Sequence, residues 1–232
     1  MTAIEFRNVT KRFGACVVLD GLSFAVEKGE TFAIVGPSGT GKSVTLKHVA
    51  GLVDPDSGEV VRESRRVGYL FQGGALLAWL TVRENVALPL VETTRLRGAE
   101  IDRRVDEALR AVGLIDDADK YPSELSGGMQ KRAGLARVLV RDAEVILYDE
   151  PTSGLDPVTS ESITRLVRDV GAARGVTSVL VTHDIAGAMR IADRIMLLKN
   201  GKSAFCGSPS EFAASRDPAV AEFFAASRGE TT

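Results

Sequence analysis

A short apolar run, "TFAIV" (Thr31–Val35), passes directly into "GPSGTGKS" (Gly36–Ser43), and no other stretch limits the possible folds so strongly. A run that is apolar throughout reads as a strand buried on both faces. The eight residues after it match the spacing G-x-x-x-x-G-K-[ST], in the strand-to-helix setting that this spacing requires. Glycines at 36, 39 and 41 let the backbone curl until its N–H groups converge on phosphate oxygens. The N-terminus of the next helix adds partial positive charge. In such a loop Lys42 reaches the β- and γ-phosphates and the Ser43 hydroxyl ligates Mg²⁺. The helix itself reads as "VTLKHVAGL", ending at Gly51.

Strands precede the loop. "AIEFRNV" alternates, with Ile4, Phe6 and Val9 turned inward, and "GLSFAVEKGE" gives a second short strand and a Lys-Gly turn. "GEVV" and "RVGYLF" read as two more. The middle of the chain changes character. "TVRENVALPL", "IDRRVDEALRAVGLI" and "GGMQKRAGLARVLV" read as helices, the second with Ile101, Val105, Leu109 and Val112 on one face. This block, about Thr81 to Arg141, is a candidate separate lobe. Buried strands "EVILYDE" and "TSVLVTH" then alternate with helices "TSESITRLVRDVGAAR" and "IAGAMRIA". "DRIMLLKNGKSAFCG" reads as a hairpin turning at Asn200-Gly201, and "PSEFAASRDPAVAEFFAAS" as two short helices. The alternation on both sides of a helical block predicts an α/β core with a helical insertion.

Further chemistry lies at strand ends. "VILYDEP" delivers Asp149 to the end of a strand, where an acid supports Mg²⁺, usually through water. Glu150 points elsewhere because strand residues alternate, and it is a candidate general base. His183 follows "SVLVT" and Gln72 follows "VGYLF". Taken alone, a strand-end histidine is more often structural and a surface glutamine commonplace. Phe13, at the end of the first strand region, is a candidate for stacking on a base. A second glycine turn, "ELSGGMQKRAGLARVL" (Glu124–Leu139), runs into a helix with basic residues close behind. It too suits an anion, which leaves one chain with two phosphate-binding signals.

The chain has 232 residues, 44% hydrophobic and 26% charged, which suits one sizeable core or two small lobes in a soluble globular protein. Its 29 basic and 31 acidic residues give a net charge of −2, so nucleic acid is not expected as a partner. Cys16 and Cys206 are too few for a disulfide framework and indicate a reducing compartment, each expected as a small buried apolar residue. "MTAIEFRNVTKRFG" has no apolar leader, and no uninterrupted apolar stretch approaches the ~18 residues a bilayer span needs. A role at a membrane is expected to come through a partner.

Seven pieces stand in an order that resembles the ATPase subunit of ABC transporters across nearly the whole chain. "GPSGTGKS" is similar to the Walker A motif, "VILYDE" to Walker B, "LSGGMQ" to the ABC signature and "SGLD" (Ser153–Asp156) to the D-loop. Gln72 resembles the Q-loop residue, His183 the switch histidine and Phe13 the A-loop aromatic. The resemblance implies a single ABC ATPase domain over residues 1–232. It has a P-loop NTPase core with an antiparallel β part (1–72 and 142–232) and a helical subdomain (73–141). It implies ATP and Mg²⁺ as cofactors. Gly36, Pro37, Ser38, Gly39, Thr40, Gly41, Lys42, Ser43, Thr45 and Phe13 would hold the nucleotide. Ser43, Gln72 and Asp149 would serve the metal, and Glu150, His183 and Gln72 the hydrolysis.

The same resemblance implies an answer to the two signals. In this family two ATPase subunits pair head to tail, and Ser126, Gly127 and Gly128 would serve the partner's ATP; Asp156 of the D-loop is also among the implied nucleotide-binding residues. A C2 dimer completes two sites from four halves. A multi-span permease would be the membrane partner, with the chain peripheral on the cytoplasmic side of the inner membrane. "FQGGALLAWLTVRENVALPL", "SGGMQKRAGLARVL" and the tail "SRDPAVAEFFAAS" are similar to the Mla-type group, which moves phospholipid or related lipids. That implies a lipid cargo and a secreted or anchored lipid-binding protein. One departure is the stretch between Gly58 and Tyr69, where the family carries a longer β-hairpin arm. Only "EVVRESRRVG" intervenes here, so the antiparallel part is expected to be reduced.

Two readings compete with the lipid transporter. One keeps the ATPase and changes the cargo to amino acids, metals or a drug-like solute. The other is a soluble ABC-type module in a non-transport assembly such as iron–sulphur assembly. The apolar "ALLAWL" (Ala75–Leu80) is a candidate permease contact, unless Leu76, Leu77 and Trp79 pack inside the lobe.

Overall fold

The computed structural model describes residues 1–227. Two sheets face one another across a common core. The smaller is antiparallel, with order β2-β1-β4, and is built from β1 (Thr2–Phe13), β2 (Cys16–Glu27) and β4 (Ser57–Arg62). The larger has order β5-β6-β7-β3-β8-β9. It comprises β3 (Thr31–Val35), β5 (Val67–Leu70), β6 (Val145–Asp149), β7 (Thr177–Thr182), β8 (Arg194–Lys199) and β9 (Lys202–Gly207). Neighbours run parallel except at the β8–β9 hairpin, which turns at Asn200-Gly201 with both residues at positive φ.

The apolar run of β3 has two destinations. Phe32 and Ile34 face the small sheet, in a core shared with Ile4, Phe6, Val9, Phe24 and the helix α1 (Lys42–Val49). Ala33 and Val35 face the opposite way, in a core shared with the helices. All five β3 residues are buried, as a central strand covered on both faces requires. Ile4, Phe6 and Val9 are buried too, so the alternation in β1 marks the inward face. Strands β1 and β2 each extend over 12 residues, further than their hydrophobic patterning alone marks out. Residues 63–66 carry the chain from β4 to β5, and β4 remains a single strand beside β1.

On the other face of the large sheet lie α5 (Pro157–Arg174) and α6 (Ile185–Ile191), followed at the chain end by α7 (Pro209–Ala214) and α8 (Pro218–Ser227). Three helices form the block between β5 and β6: α2 (Val82–Thr93), α3 (Ala99–Ala111) and α4 (Gly127–Leu139). Ile101, Val105, Leu109 and Val112 are all buried in the shared core. Helix α4 comes close to β5, since a Cβ on Gly68 would lie 2.3 Å from Val138 Cγ1. Thr81 and Glu84 form a capping box that starts α2.

Two expectations need correction. Cys16 and Cys206 are both exposed, one opening β2 and the other on the edge strand β9, where side chains on one face meet solvent. The "ALLAWL" segment is divided rather than wholly inside or outside. Leu76 packs against the core, whereas Trp79 is 72% exposed. Buried Asn85 fixes the segment, donating to the carbonyls of Leu77, Leu80 and Thr81 and accepting from Leu77 N–H. No helix among the described residues is long and apolar enough to cross a membrane.

Candidate functional site

The site lies where strands of the large sheet end. Gly36 follows β3, Asp149 ends β6, His183 follows β7 and Gln72 follows β5 by two residues. Strand β3 is flanked by β7 and β8; in open sheets of this kind ligands bind outside the carboxyl ends of the strands. The loop from Gly36 to Gly41 then turns into α1, with Gly39 at φ 80° and Gly41 at φ 99°. These left-handed values favour glycine. Space reinforces the requirement at Gly36, where a Cβ would lie 2.4 Å from the Leu198 carbonyl oxygen of the neighbouring strand β8.

Lys42 is the first residue of α1, and its ammonium folds back over the loop. Nζ donates to the carbonyls of Gly36 and Pro37, both at 2.9 Å, and lies 4.0 Å from Glu150 Oε1. Burial lowers its pKa, opposed by the charges of Glu150 and Asp149. A buried cation beside free helix N–H groups is a seat for a polyanion. Thr40 donates to the Pro37 carbonyl and Thr45 to the Gly41 carbonyl, so both hydroxyls hold the shape of the loop.

Next to it, the Ser43 hydroxyl donates to Asp149 Oδ1 at 2.7 Å. Tyr69, on the adjacent strand, donates to Asp149 Oδ2 at 2.8 Å. Both carboxylate oxygens are thus fixed, on a residue only 8% exposed. Burial and the bond to Asp149 push the Tyr69 hydroxyl pKa up, so it remains a donor. A hydroxyl and one carboxylate suit a hard divalent cation whose remaining ligands are phosphate oxygens and water. Among the described residues no group of three or more His, Cys, Asp or Glu forms a protein-only metal cage, which fits that arrangement.

Glu150 leaves the strand in a left-handed conformation, φ 49°. For a residue with a side chain this costs on the order of 1–3 kcal/mol and persists only where the surroundings impose it. The turn aims its carboxylate away from Asp149: Oε2 lies 2.8 Å from His183 Nδ1 and Oε1 faces Lys42. An acid with an imidazole beside it, next to a phosphate seat, can take a proton from an attacking water. His183 is itself largely exposed.

Other candidates stand elsewhere. Gln72 Nε2 donates to Ser153 Oγ at 2.9 Å and makes no bond to Ser43 or Asp149. Phe13 ends β1 and is 52% exposed, with Lys11 Nζ 5.5 Å from its ring centroid. Its hairpin partner β2 reaches the phosphate loop, because a Cβ on Gly41 would meet Val18 at 3.0 Å. Asp156 caps α5, accepting from the N–H groups of Val158 and Thr159. Ser126 caps α4, accepting from Met129 N–H at 3.3 Å, and Gly127 and Gly128 form the first turn of that helix. A Cβ on Gly128 would meet Thr159 Cγ2 at 2.4 Å, so this glycine is required for packing against α5.

Sequence reasoning missed Tyr69 and Lys131, and saw Ser153 only as the first residue of the D-loop resemblance. Tyr69 was visible only as part of a strand, and its acceptor depends on the register Tyr69↔Leu147 between β5 and β6. Lys131 was visible only as a basic residue in a helix. It is buried and donates to the carbonyls of Glu150 and Ser153.

Fold and site together define a nucleotide hydrolase built on a phosphate-loop core with a helical insertion. A family model for ABC transporters matches residues 19–153. Trigalactosyldiacylglycerol 3 of Arabidopsis thaliana, a chloroplastic protein, is 41% identical over 95% of this chain and 72% of its own length. The probable ribonucleotide transport ATP-binding protein mkl of Mycobacterium leprae is 38% identical over 95% of this chain and 68% of its length. The methionine import ATP-binding protein MetN of Brucella abortus is 40% identical over 85% of this chain and 58% of its length. Among solved structures, the dimeric post-hydrolysis state of the ATP-binding cassette MJ0796, bound to ADP and Pi, is 34% identical. It superposes with a TM-score of 0.81, covering 89% of this chain and 98% of that one. The chain belongs to the ABC transporter family, as an ATP-hydrolysing, ATP-binding subunit.

Proposed function

We propose that this chain is the motor of a lipid transporter, acting as a head-to-tail dimer against a multi-span membrane permease. The observation that carries the motor assignment is the convergence of Lys42, Ser43, Asp149, Glu150 and His183 at adjoining strand ends. In this reading the loop from Gly36 to Ser43 holds the phosphates, with Lys42 exchanging its two carbonyl partners for phosphate oxygens. Ser43, Asp149 and Gln72 would hold Mg²⁺. Bound there, Mg²⁺ would neutralise charge on the phosphates being separated. Glu150 takes the proton of the attacking water, and His183 orients Glu150 and the terminal phosphate.

The second half of each site comes from the partner. Ser126, Gly127 and Gly128 present a hydroxyl and a helix N-terminus, and the short turn around Asp156 lies beside them through the Gly128–Thr159 contact. Val158, next to Asp156, is 80% exposed, which suits a surface covered by a second copy. The MJ0796 cassette, dimeric with ADP and Pi bound, supports the same reading. Contacts made by the terminal phosphate to both subunits would close the dimer, and their loss on hydrolysis would open it. We assign such a motor to the cytoplasmic face of the inner membrane, peripheral to its permease.

The lipid cargo rests on a relative named for trigalactosyldiacylglycerol, a glycolipid, and on the Mla-like segments around Gln72, Ser126 and the tail. Other relatives are named for ribonucleotide and for methionine transport, since the ATPase residues touch no cargo. The test is to copurify the chain with its membrane subunits and to analyse bound lipid. Phospholipid in the complex, with ATP hydrolysis stimulated in phospholipid vesicles, supports the assignment, including a lipid-binding accessory protein. Stimulation by methionine or another soluble solute, with no lipid retained, would overturn it.

A further inference from the structure

We infer that Lys131 is a positioning residue for hydrolysis, holding Glu150 in its left-handed conformation from the helical block. Lys131 lies on α4, five residues after Ser126, and is only 6% exposed. Burial lowers the pKa of its ammonium, so its place there needs compensation. That compensation is two main-chain carbonyls: Nζ donates to Glu150 O at 3.3 Å and to Ser153 O at 2.5 Å. Both belong to the turn after β6, closed by Ser153 N–H donating to Glu150 O.

The strain at Glu150 gives these bonds a purpose. Glu150 N–H donates to the Val181 carbonyl, which fixes one side of the residue to β7. The other peptide carries Glu150 O, which accepts from Ser153 N–H inside the turn and from Lys131 Nζ across to α4. Of the two, Lys131 ties that oxygen to the helical block. Without it only the bond within the turn restrains this peptide, so Glu150 can relax toward an ordinary φ and the carboxylate moves away from Lys42 and His183. Ser153 belongs to the same clamp, because its hydroxyl accepts from Gln72. Lys131 therefore stands between the glycine turn at Ser126 and the acid of its own chain's phosphate site. Gly127 and Gly128, packed on Leu155 and Thr159, tie the same two segments together nearby.

The inference rests on the assignment of Glu150 as the base. The experiment compares Lys131→Met, Lys131→Arg and Glu150→Gln in the full chain, reading kcat, KM, nucleotide affinity by fluorescence titration and thermal unfolding. Lys131→Met should lower kcat about tenfold or more, with KM and nucleotide affinity changed by less than about threefold. Lys131→Arg should restore much of kcat, because a guanidinium also donates to two carbonyls. Should Lys131→Met fail to fold, Lys131→Ala, which removes the donor and leaves room for water at the two carbonyls, is read in its place. Normal kcat in folded Lys131→Met or Lys131→Ala overturns the inference. So does a loss of kcat that merely follows loss of nucleotide affinity or of folded protein. Wild-type turnover in Glu150→Gln would instead remove the base assignment, whatever the lysine variants do.

Discussion

The two phosphate-binding signals differ in how far one chain completes them. At the Gly36–Ser43 loop, the structure supplies everything around the seat: a buried ammonium, a hydroxyl locked to a carboxylate, and an acid paired with an imidazole. At Ser126–Gly128 it supplies only a hydroxyl and a helix N-terminus. The Ser126 hydroxyl caps its own helix, and Gly128 is present because Thr159 leaves no room for a side chain. Among the described residues, no catalytic acid or buried Lys-hydroxyl-carboxylate set gathers at that turn. The difference teaches that similar local chemistry, glycines before a helix N-terminus, can be surrounded by catalytic groups in one place and stand without them in another; in the proposed dimer the second turn would complete the partner's site.

The sharpest way to break this comparison is at the complete half. Replacing Glu150 with Gln keeps its size and removes its basicity. Phosphate release should fall by roughly 10²–10⁴-fold, the usual worth of a positioned general base. Nucleotide binding should survive, because Lys42 and the loop are untouched. A mutant that hydrolyses normally would transfer the role of base elsewhere and leave the first half incomplete as well. The next largest effect tests the open half. Lys42→Ala damages one half-site and Ser126→Arg the other, and each homodimer should be inactive. In a mixed dimer one site is damaged twice and the other is intact. If subunits exchange freely and sites act independently, the mixture should regain roughly a quarter of wild-type hydrolysis. Full activity in isolated monomeric subunits would show that Ser126 serves no partner.

The same contrast explains what the sequence made legible. Lys42, Ser43 and Gly41 are adjacent, so spacing alone announces the loop, and the apolar runs before Gly36, Asp149 and His183 announce the strands that deliver them. The α/β core and its helical block follow from that alternation. Spacing cannot carry contact between distant elements. Tyr69 meets Asp149 only through the pairing of β5 with β6, and Lys131 meets Glu150 across the boundary between α4 and the core. The left-handed Glu150 had no signal at all, because the turn residues that favour such angles are Gly, Asn and Asp. Exposure of Cys16 and Cys206 was misjudged because a cysteine's general tendency to be buried says nothing about the strand position it occupies.

The smallest effects separate packing from recognition inside "SGG". A Cβ on Gly128 would meet Thr159 Cγ2 at 2.4 Å, whereas on Gly127 it would meet Leu155 Cδ2 at an ordinary 3.4 Å. Both glycines lie in a helix, where alanine is intrinsically favoured by up to ~1 kcal/mol. Gly128→Ala must therefore displace the Thr159 methyl or push α4 from α5, and should destabilise the chain by about 1–3 kcal/mol despite that gain. Gly127→Ala should leave thermal unfolding unchanged or slightly raised. If Gly127 lies against a partner's phosphate, its methyl group should nevertheless slow hydrolysis severalfold without weakening nucleotide binding by a lone subunit. Measuring unfolding and turnover on the two variants distinguishes the roles. Normal hydrolysis by Gly127→Ala, with its fold intact, would mean that the open half needs no close approach at that position.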